Sequence, residues 1–169
     1  MTVTIGRAVG DFSATTTSNE AISLTSLKGK NFVLYFYPQN NTPSCTSEGL
    51  SFSAHHDAFL ETDTLVFGVS SASLAAHKKF RDQHGFPFEL ISDETGALCE
   101  LFDVMRLKRK GEEEFIGIER STFLIDKDGI LQHEWRRVRI KNHVEDVLQA
   151  AQALAGMVTT AANAKKEDD

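Results

Sequence analysis

The densest apolar stretches of this chain are short. Asn31-Phe32-Val33-Leu34-Tyr35-Phe36 is almost continuously apolar and of strand length, and so is Thr64 to Ser70. Runs of this kind suit strands covered on both faces. Between them, Pro43 to about Leu60 predicts a helix, with apolar contacts from Leu50, Phe52, Phe59 and Leu60. Ser73 to Gln83 predicts a second helix, capped by Ser73 and closed before Gly85. A short strand follows at Phe88 to Ile91 and a short helix at Thr95 to Phe102. Arg120 to Ile125 is again strand-like. Asp126-Lys127-Asp128-Gly129 is a turn, because Asp-Gly supplies the positive φ of tight hairpins, and Ile130 to Arg136 returns antiparallel. Asn142-His143 opens a last helix to about Leu154.

The remaining segments are polar. Thr2 to Glu20 is Thr-rich around Phe12 and reads as loop with short strands; Leu24 to Lys30 is a helical turn ended by Gly29. Arg106-Leu107-Lys108-Arg109-Lys110 changes sign at Gly111 into Glu112-Glu113-Glu114, the pattern of a charged hairpin or loop facing water. Arg136 to Lys141 reads as a solvated strand edge. The order β-α-β-α-β-(α)-β-β-α predicts an α/β layer fold, a central mixed β-sheet flanked by helices. It is the order of a thioredoxin-like fold with an extra segment at the front and an insertion after the second strand. One domain is expected over residues 1–158, with a frayed tail at 159–169.

Composition narrows the function. The chain has 169 residues, 41% of them hydrophobic, enough for one domain with a real core. Its 18 basic and 24 acidic residues give a net charge of −6, so nucleic acid and anionic membranes are not expected partners. The N-terminus lacks a signal-peptide core and no apolar run spans a bilayer, so the expected location is cytoplasmic. The two cysteines, Cys45 and Cys99, make no disulfide framework. The six histidines show no zinc spacing, and there is no Gly-x-Gly-x-x-Gly or phosphate loop, so no metal or cofactor is expected.

Cys45 carries the candidate chemistry. In Phe36-Tyr37-Pro38-Gln39-Asn40-Asn41-Thr42-Pro43-Ser44-Cys45-Thr46-Ser47-Glu48, a buried strand gives way to a polar loop and then to a helix start. A thiol at a helix N-terminus meets backbone N–H groups and a dipole that favour the thiolate. A free thiol has a pKa of about 8.5, and such a site with one cation typically brings it to about 3.5–7.5. A drop of about 2.5 units is worth roughly 3.4 kcal/mol of preference for the charged form. Arg120, just before the apolar strand Ser121-Thr122-Phe123-Leu124-Ile125, is the candidate cation, because two strand ends can meet a helix start in one crevice. Glu48, three residues after Cys45 on the same helix face, could orient the guanidinium without touching sulfur. Thr42 read by itself is an N-cap, Pro43 a helix-start proline, and Cys99, with apolar flanks, a packed thiol.

Pro38-x-x-x-Thr42-x-x-Cys45 resembles the active-site motif of the peroxiredoxins. The longer string Phe-Tyr-Pro-x-x-x-Thr-Pro-x-Cys-Thr-x-Glu is similar to the bacterioferritin-comigratory or peroxiredoxin Q group. The likeness continues at Leu90 to Glu94, at Arg120 to Asp126 and from Trp135 to His143, and covers most of the chain up to about Leu154. It implies that Cys45 is a peroxidatic cysteine whose thiolate attacks a peroxide and becomes a sulfenic acid. Thr42 would bond the thiolate–peroxide pair, Pro38 would shield the pocket, and Arg120 would stabilise thiolate and developing charge. Backbone N–H groups near Ser44 and Cys45 would hold the peroxide.

Many members of the group carry a resolving cysteine five residues after the first, where this chain has Leu50; others carry it in the next helix, which has none here. The expected mechanism therefore uses one cysteine and an external thiol reductant: thioredoxin, glutaredoxin or glutathione. Cys99 as the resolving thiol is the alternative. The expected oligomeric state is a monomer or weak homodimer. Other classes remain open: a peroxide sensor or redox relay on the same thiol, a holdase, and a disulfide reductase, which would want Cys-x-x-Cys where this chain has Glu48.

Overall fold

The apolar run at Asn31–Phe36 forms a central strand with both faces covered. The structure, a computed structural model, describes residues 2–156, so the expected tail at 159–169 lies outside the described residues. In chain order the first elements are β1 (Ser13–Thr16), β2 (Ala21–Ser23), β3 (Asn31–Phe36), α1 (Pro43–Ala54), α2 (His56–Glu61) and β4 (Thr64–Ser70). There follow α3 (Leu74–His84), β5 (Glu89–Ser92), α4 (Ala97–Leu101) and the hairpin β6 (Met105–Lys110) and β7 (Glu113–Ile118). The last elements among the described residues are β8 (Ser121–Ile125), β9 (Leu131–Arg136) and α5 (His143–Leu154).

Seven strands make one mixed sheet in the order β2-β1-β5-β4-β3-β8-β9, and β6-β7 stand apart as a two-stranded sheet. β3, β4 and β5 run parallel, while β8 lies antiparallel to β3. Alternation divides β3 between two cores. Phe32, Leu34 and Phe36 join a cluster with Leu98, Cys99, Phe102 and Phe123; Val33, Tyr35 and Tyr37 join one with Cys45, Phe52, Phe59, Phe80 and Val147. Thus α1, α2, α3 and α5 cover one face and α4 the other, the expected thioredoxin-like layering. No described helix is long and apolar enough to cross a membrane.

Three expectations need correction. The helix expected over Pro43–Leu60 breaks at His55, whose φ of −102° and ψ of 5° are not helical. The His55 ring bonds the Ser51 carbonyl at 2.9 Å, a local side-chain bond that competes with helix continuation. Leu24 to Lys30 forms consecutive turns without a helix. Within the expected solvated edge Arg136–Lys141, Arg136, the last residue of the edge strand β9, is partly withdrawn from solvent: its guanidinium lies over the Phe123 ring at 5.1 Å and donates to the Phe102 and Asp103 carbonyls. The charged segment Arg106–Glu114 is a hairpin, as its sign change suggested.

Candidate active site

β3 delivers the chain into the loop before α1, and the turn is made by local chemistry. Tyr37 N–H donates to the Val69 carbonyl at 3.1 Å, which holds the strand end, and Asn41 takes φ 64° in the left-handed region that asparagine tolerates. Thr42 is the N-cap of α1: its hydroxyl accepts from Cys45 N–H at 3.4 Å and donates to the Gln39 carbonyl at 3.3 Å. Pro43 occupies the first helical turn, where its missing N–H costs nothing. Cys45 follows in that turn and is 2% exposed. Pro38 is half-buried, its carbonyl accepting from Ser70 Oγ at 3.4 Å.

Sheet register brings Arg120 to this helix start. Ser121 pairs with Phe36, so the residue before β8 lies beside the end of β3, from which the loop departs. Val138 N–H donates to the Arg120 carbonyl at 3.0 Å and fixes the backbone there. The guanidinium then divides its donors. Nη1 meets Glu48 Oε1 at 2.6 Å, and Nη2 meets Ser44 Oγ at 2.9 Å and Cys45 Sγ at 3.3 Å. Glu48 bonds the guanidinium and the sulfur contacts only the other nitrogen.

Burial makes this cluster electrostatically strained. Removal from water pushes the Glu48 carboxyl up to about 7, a larger effect than the opposing pull of Arg120. Among the described residues, its Oε2 is buried without a hydrogen-bond partner. The partners do not feel the pair equally: burial works against the Arg120 charge, yet Glu48 and Cys45 together raise its pKa. A second cation contributes. Lys108 crosses β7 at Gly117, where a Cβ would stand 3.3 Å from its Cδ, and its Nζ donates to the Ile118 carbonyl at 2.5 Å. Burial and then Arg120 lower its pKa, while Cys45 and Glu119 pull it up.

Cys99 lies elsewhere. It belongs to the core on the α4 face, and Cys45 to the core on the α1 face, so the sheet separates the two thiols. Both are free. Burial, then a bond to Asp93, pushes the Cys99 thiol well up. Asp93 also caps α4, accepting from Leu98 and Cys99 N–H groups at 3.0 and 2.9 Å.

The structure thus brings Thr42, Ser44, Cys45, Glu48 and Arg120 together, sets Pro38 at the base of the same loop, and leaves Cys99 apart. Sequence reasoning missed the inward turn of Lys108, since the hairpin's polar alternation shows no buried face. It also missed His143, buried beneath the site with Nε2 2.8 Å from Thr122 Oγ1. Burial brings its imidazole down to about 4.

Comparisons with known proteins converge. The model of the AhpC/TSA family matches residues 5–134. The Bacillus subtilis protein named peroxiredoxin Bcp is 46% identical over 149 residues, covering 88% of this chain and 95% of that one. A solved structure of Xanthomonas campestris peroxiredoxin Q superposes with a TM-score of 0.83 at 37% identity, covering 90% of this chain and 97% of that one. A structure of the Xanthomonas campestris bacterioferritin comigratory protein, from work on its alkyl peroxide reduction activity, gives a TM-score of 0.83 at 36% identity, with 90% and 98% covered.

Proposed function

The chain belongs to the AhpC/TSA family, and from that premise we propose that it is a thiol-dependent peroxidase acting on hydrogen peroxide and organic hydroperoxides through Cys45. The observation that carries this is the Arg120 guanidinium 3.3 Å from a thiol in the first turn of α1. A preorganised cation beside the reacting atom stabilises both thiolate and the charge that develops on the peroxide oxygens.

The reaction follows from those groups. The Cys45 thiolate attacks the terminal peroxide oxygen, an S–O bond forms and the O–O bond breaks. Sulfur loses two electrons to become a sulfenic acid, and the leaving oxygen takes a proton to depart as water or an alcohol. An external thiol then attacks the sulfenic sulfur, releasing water and leaving a mixed disulfide; a second thiol restores Cys45. Arg120 holds the charge, backbone N–H groups near Ser44 and Cys45 bind peroxide oxygen, and Thr42 bonds the reacting pair. Pro38 limits water, and Glu48 orients Arg120.

A one-cysteine cycle is part of the proposal. The sheet between Cys45 and Cys99, and the buried setting of Cys99, support it. Thioredoxin, glutaredoxin and glutathione are the candidate reductants. A cytoplasmic place of action accords with two free thiols. The test is peroxide-dependent NADPH oxidation with each reductant system, using the parent, Cys45→Ser and Cys99→Ser. Loss in the Cys45 variant alone is the expected result. Equal activity in the Cys45 variant, or no turnover of the parent with any thiol, would overturn the reading.

A further inference from the structure

The loop that carries Pro38 and Thr42 is tied to α3 by a chain of hydrogen bonds in which the sense of every donor is determined. Tyr37 OH donates to Asn40 Oδ1 at 2.7 Å. Asn40 Nδ2 lies 3.0 Å from His77 Nδ1. His77 Nε2 lies 3.2 Å from the Ser70 carbonyl and 3.0 Å from the Ile91 carbonyl. Carbonyls only accept, so Nε2 carries the proton. Nδ1 must then present its lone pair to the amide N–H of Asn40, whose oxygen is left to accept from tyrosine. Burial keeps the Tyr37 hydroxyl protonated and the His77 imidazole neutral, as this arrangement requires. Ser70 closes the circuit, since its hydroxyl donates to the Pro38 carbonyl. Gln39, between Pro38 and Asn40, gives the carbonyl on which the Thr42 hydroxyl rests.

We propose that Asn40 and His77 form a latch in which neutral His77 holds the Pro38–Thr42 loop against α3, and that both are positioning residues for the reaction at Cys45. The proposal rests on the peroxidase reading of Cys45. Neither side chain touches the sulfur. They set the place of Thr42, which caps α1 through Cys45 N–H, and of Pro38. A positioned hydroxyl loses much of its catalytic effect when displaced by about 1 Å. Protonating His77 would put an N–H on Nδ1 facing the Asn40 amide donor and open the latch. The groups facing His77 are the Tyr37 phenol just after β3, the Asn40 amide, the Ser70 and Ile91 carbonyls of β4 and β5, and the Glu94 carboxylate beyond β5; the two carbonyls and then Glu94 favour the charged ring, and burial opposes it more strongly.

The loop side is the one to change, because altering buried His77 strips partners from two carbonyls and tests folding as much as positioning. Asn40→Leu removes the latch. Asn40→Asp inverts it: the carboxylate accepts from Tyr37 and requires an N–H on His77 Nδ1, so it works only with protonated histidine. Two readouts are needed, the second-order rate of Cys45 oxidation by hydrogen peroxide from pH 6 to 8, and the His77 ring nitrogens by NMR. Expected are a fall of tenfold or more for Asn40→Leu at every pH. For Asn40→Asp we expect a ratio to the parent within threefold at pH 6 that drops tenfold by pH 8, with His77 titrating at least one unit higher. The parent's absolute rate tests the peroxidase reading, whereas the His77 titration tests the latch whatever that rate is. An unshifted His77 titration in Asn40→Asp, or an Asn40→Leu rate within twofold of the parent, would overturn the latch.

Discussion

Arg120 bonds Glu48 at 2.6 Å in a place where the Glu48 side chain has no solvent exposure at all. A buried ion pair of this kind gives little net stability, because desolvation consumes most of the Coulombic gain. Its use here is geometric. With Nη1 held by Glu48, Nη2 has one direction left, toward Ser44 and Cys45.

Arg120→Lys therefore keeps the charge and loses the fork. One ammonium cannot meet carboxylate, hydroxyl and sulfur from a fixed plane. The rate of Cys45 oxidation by hydrogen peroxide, followed by stopped-flow, is expected to fall at least about 100-fold, the scale of removing one preorganised donor. A fall under about threefold would mean that charge alone suffices.

Glu48 makes stability fall as pH rises from acid to neutral, the reverse of the usual carboxylate behaviour. Its folded pKa of about 7 exceeds the ordinary 4.5, so the folded state binds more protons between those values. Stability from this group is fully present below about 4.5 and is lost as pH rises through about 7. The full difference is of order 3 kcal/mol. Urea unfolding of the parent is expected to weaken from pH 6 to 8, and Glu48→Gln to flatten that slope. Parallel slopes in the two proteins would remove Glu48 as the cause.

His143 acts on the acid side. Its folded pKa of about 4 lies below the ordinary 6.5, so its contribution is present above 6.5 and lost as pH falls toward 4. His143→Gln keeps a partner for Thr122 without the titration. The variant's acid unfolding curve between pH 6.5 and 4 should be shallower than the parent's.

Gly49 lies against the Phe86 ring, and a Cβ there would overlap the ring carbons, two of them at 2.9 and 3.0 Å. Gly49→Ala gains helix propensity of about 1 kcal/mol, but overpacking costs about 1–3 kcal/mol. The net result expected is lower stability with slower Cys45 oxidation, since Glu48 is the adjacent residue of α1. A variant as stable as the parent would show that Phe86 yields freely.

Much of this architecture is legible in the residues, but unevenly. β3 and β4 begin and end where their apolar runs do, because strands buried on both faces leave no polar interruption. The Cys45–Glu48 relationship is readable from helical spacing. The meeting of Cys45 with Arg120, 75 residues apart, is suggested by the motif resemblance and realised by the β3–β8 register. The Asn40–His77 contact has no such signal: a loop amide and a helix imidazole 37 residues apart fall into no periodicity. Lys108 escapes for a related reason, since a strand whose charges are all basic does not announce which one turns inward.

The most direct test of the central claim is intact mass, with site mapping, after one equivalent of hydrogen peroxide is added to fully reduced protein. A gain of one oxygen atom at Cys45, trapped by a sulfenic-acid reagent, is expected in the parent and in Cys99→Ser alike. Loss of two hydrogens through a Cys45–Cys99 disulfide would contradict the one-cysteine cycle, and an unmodified Cys45 would contradict the peroxidase itself.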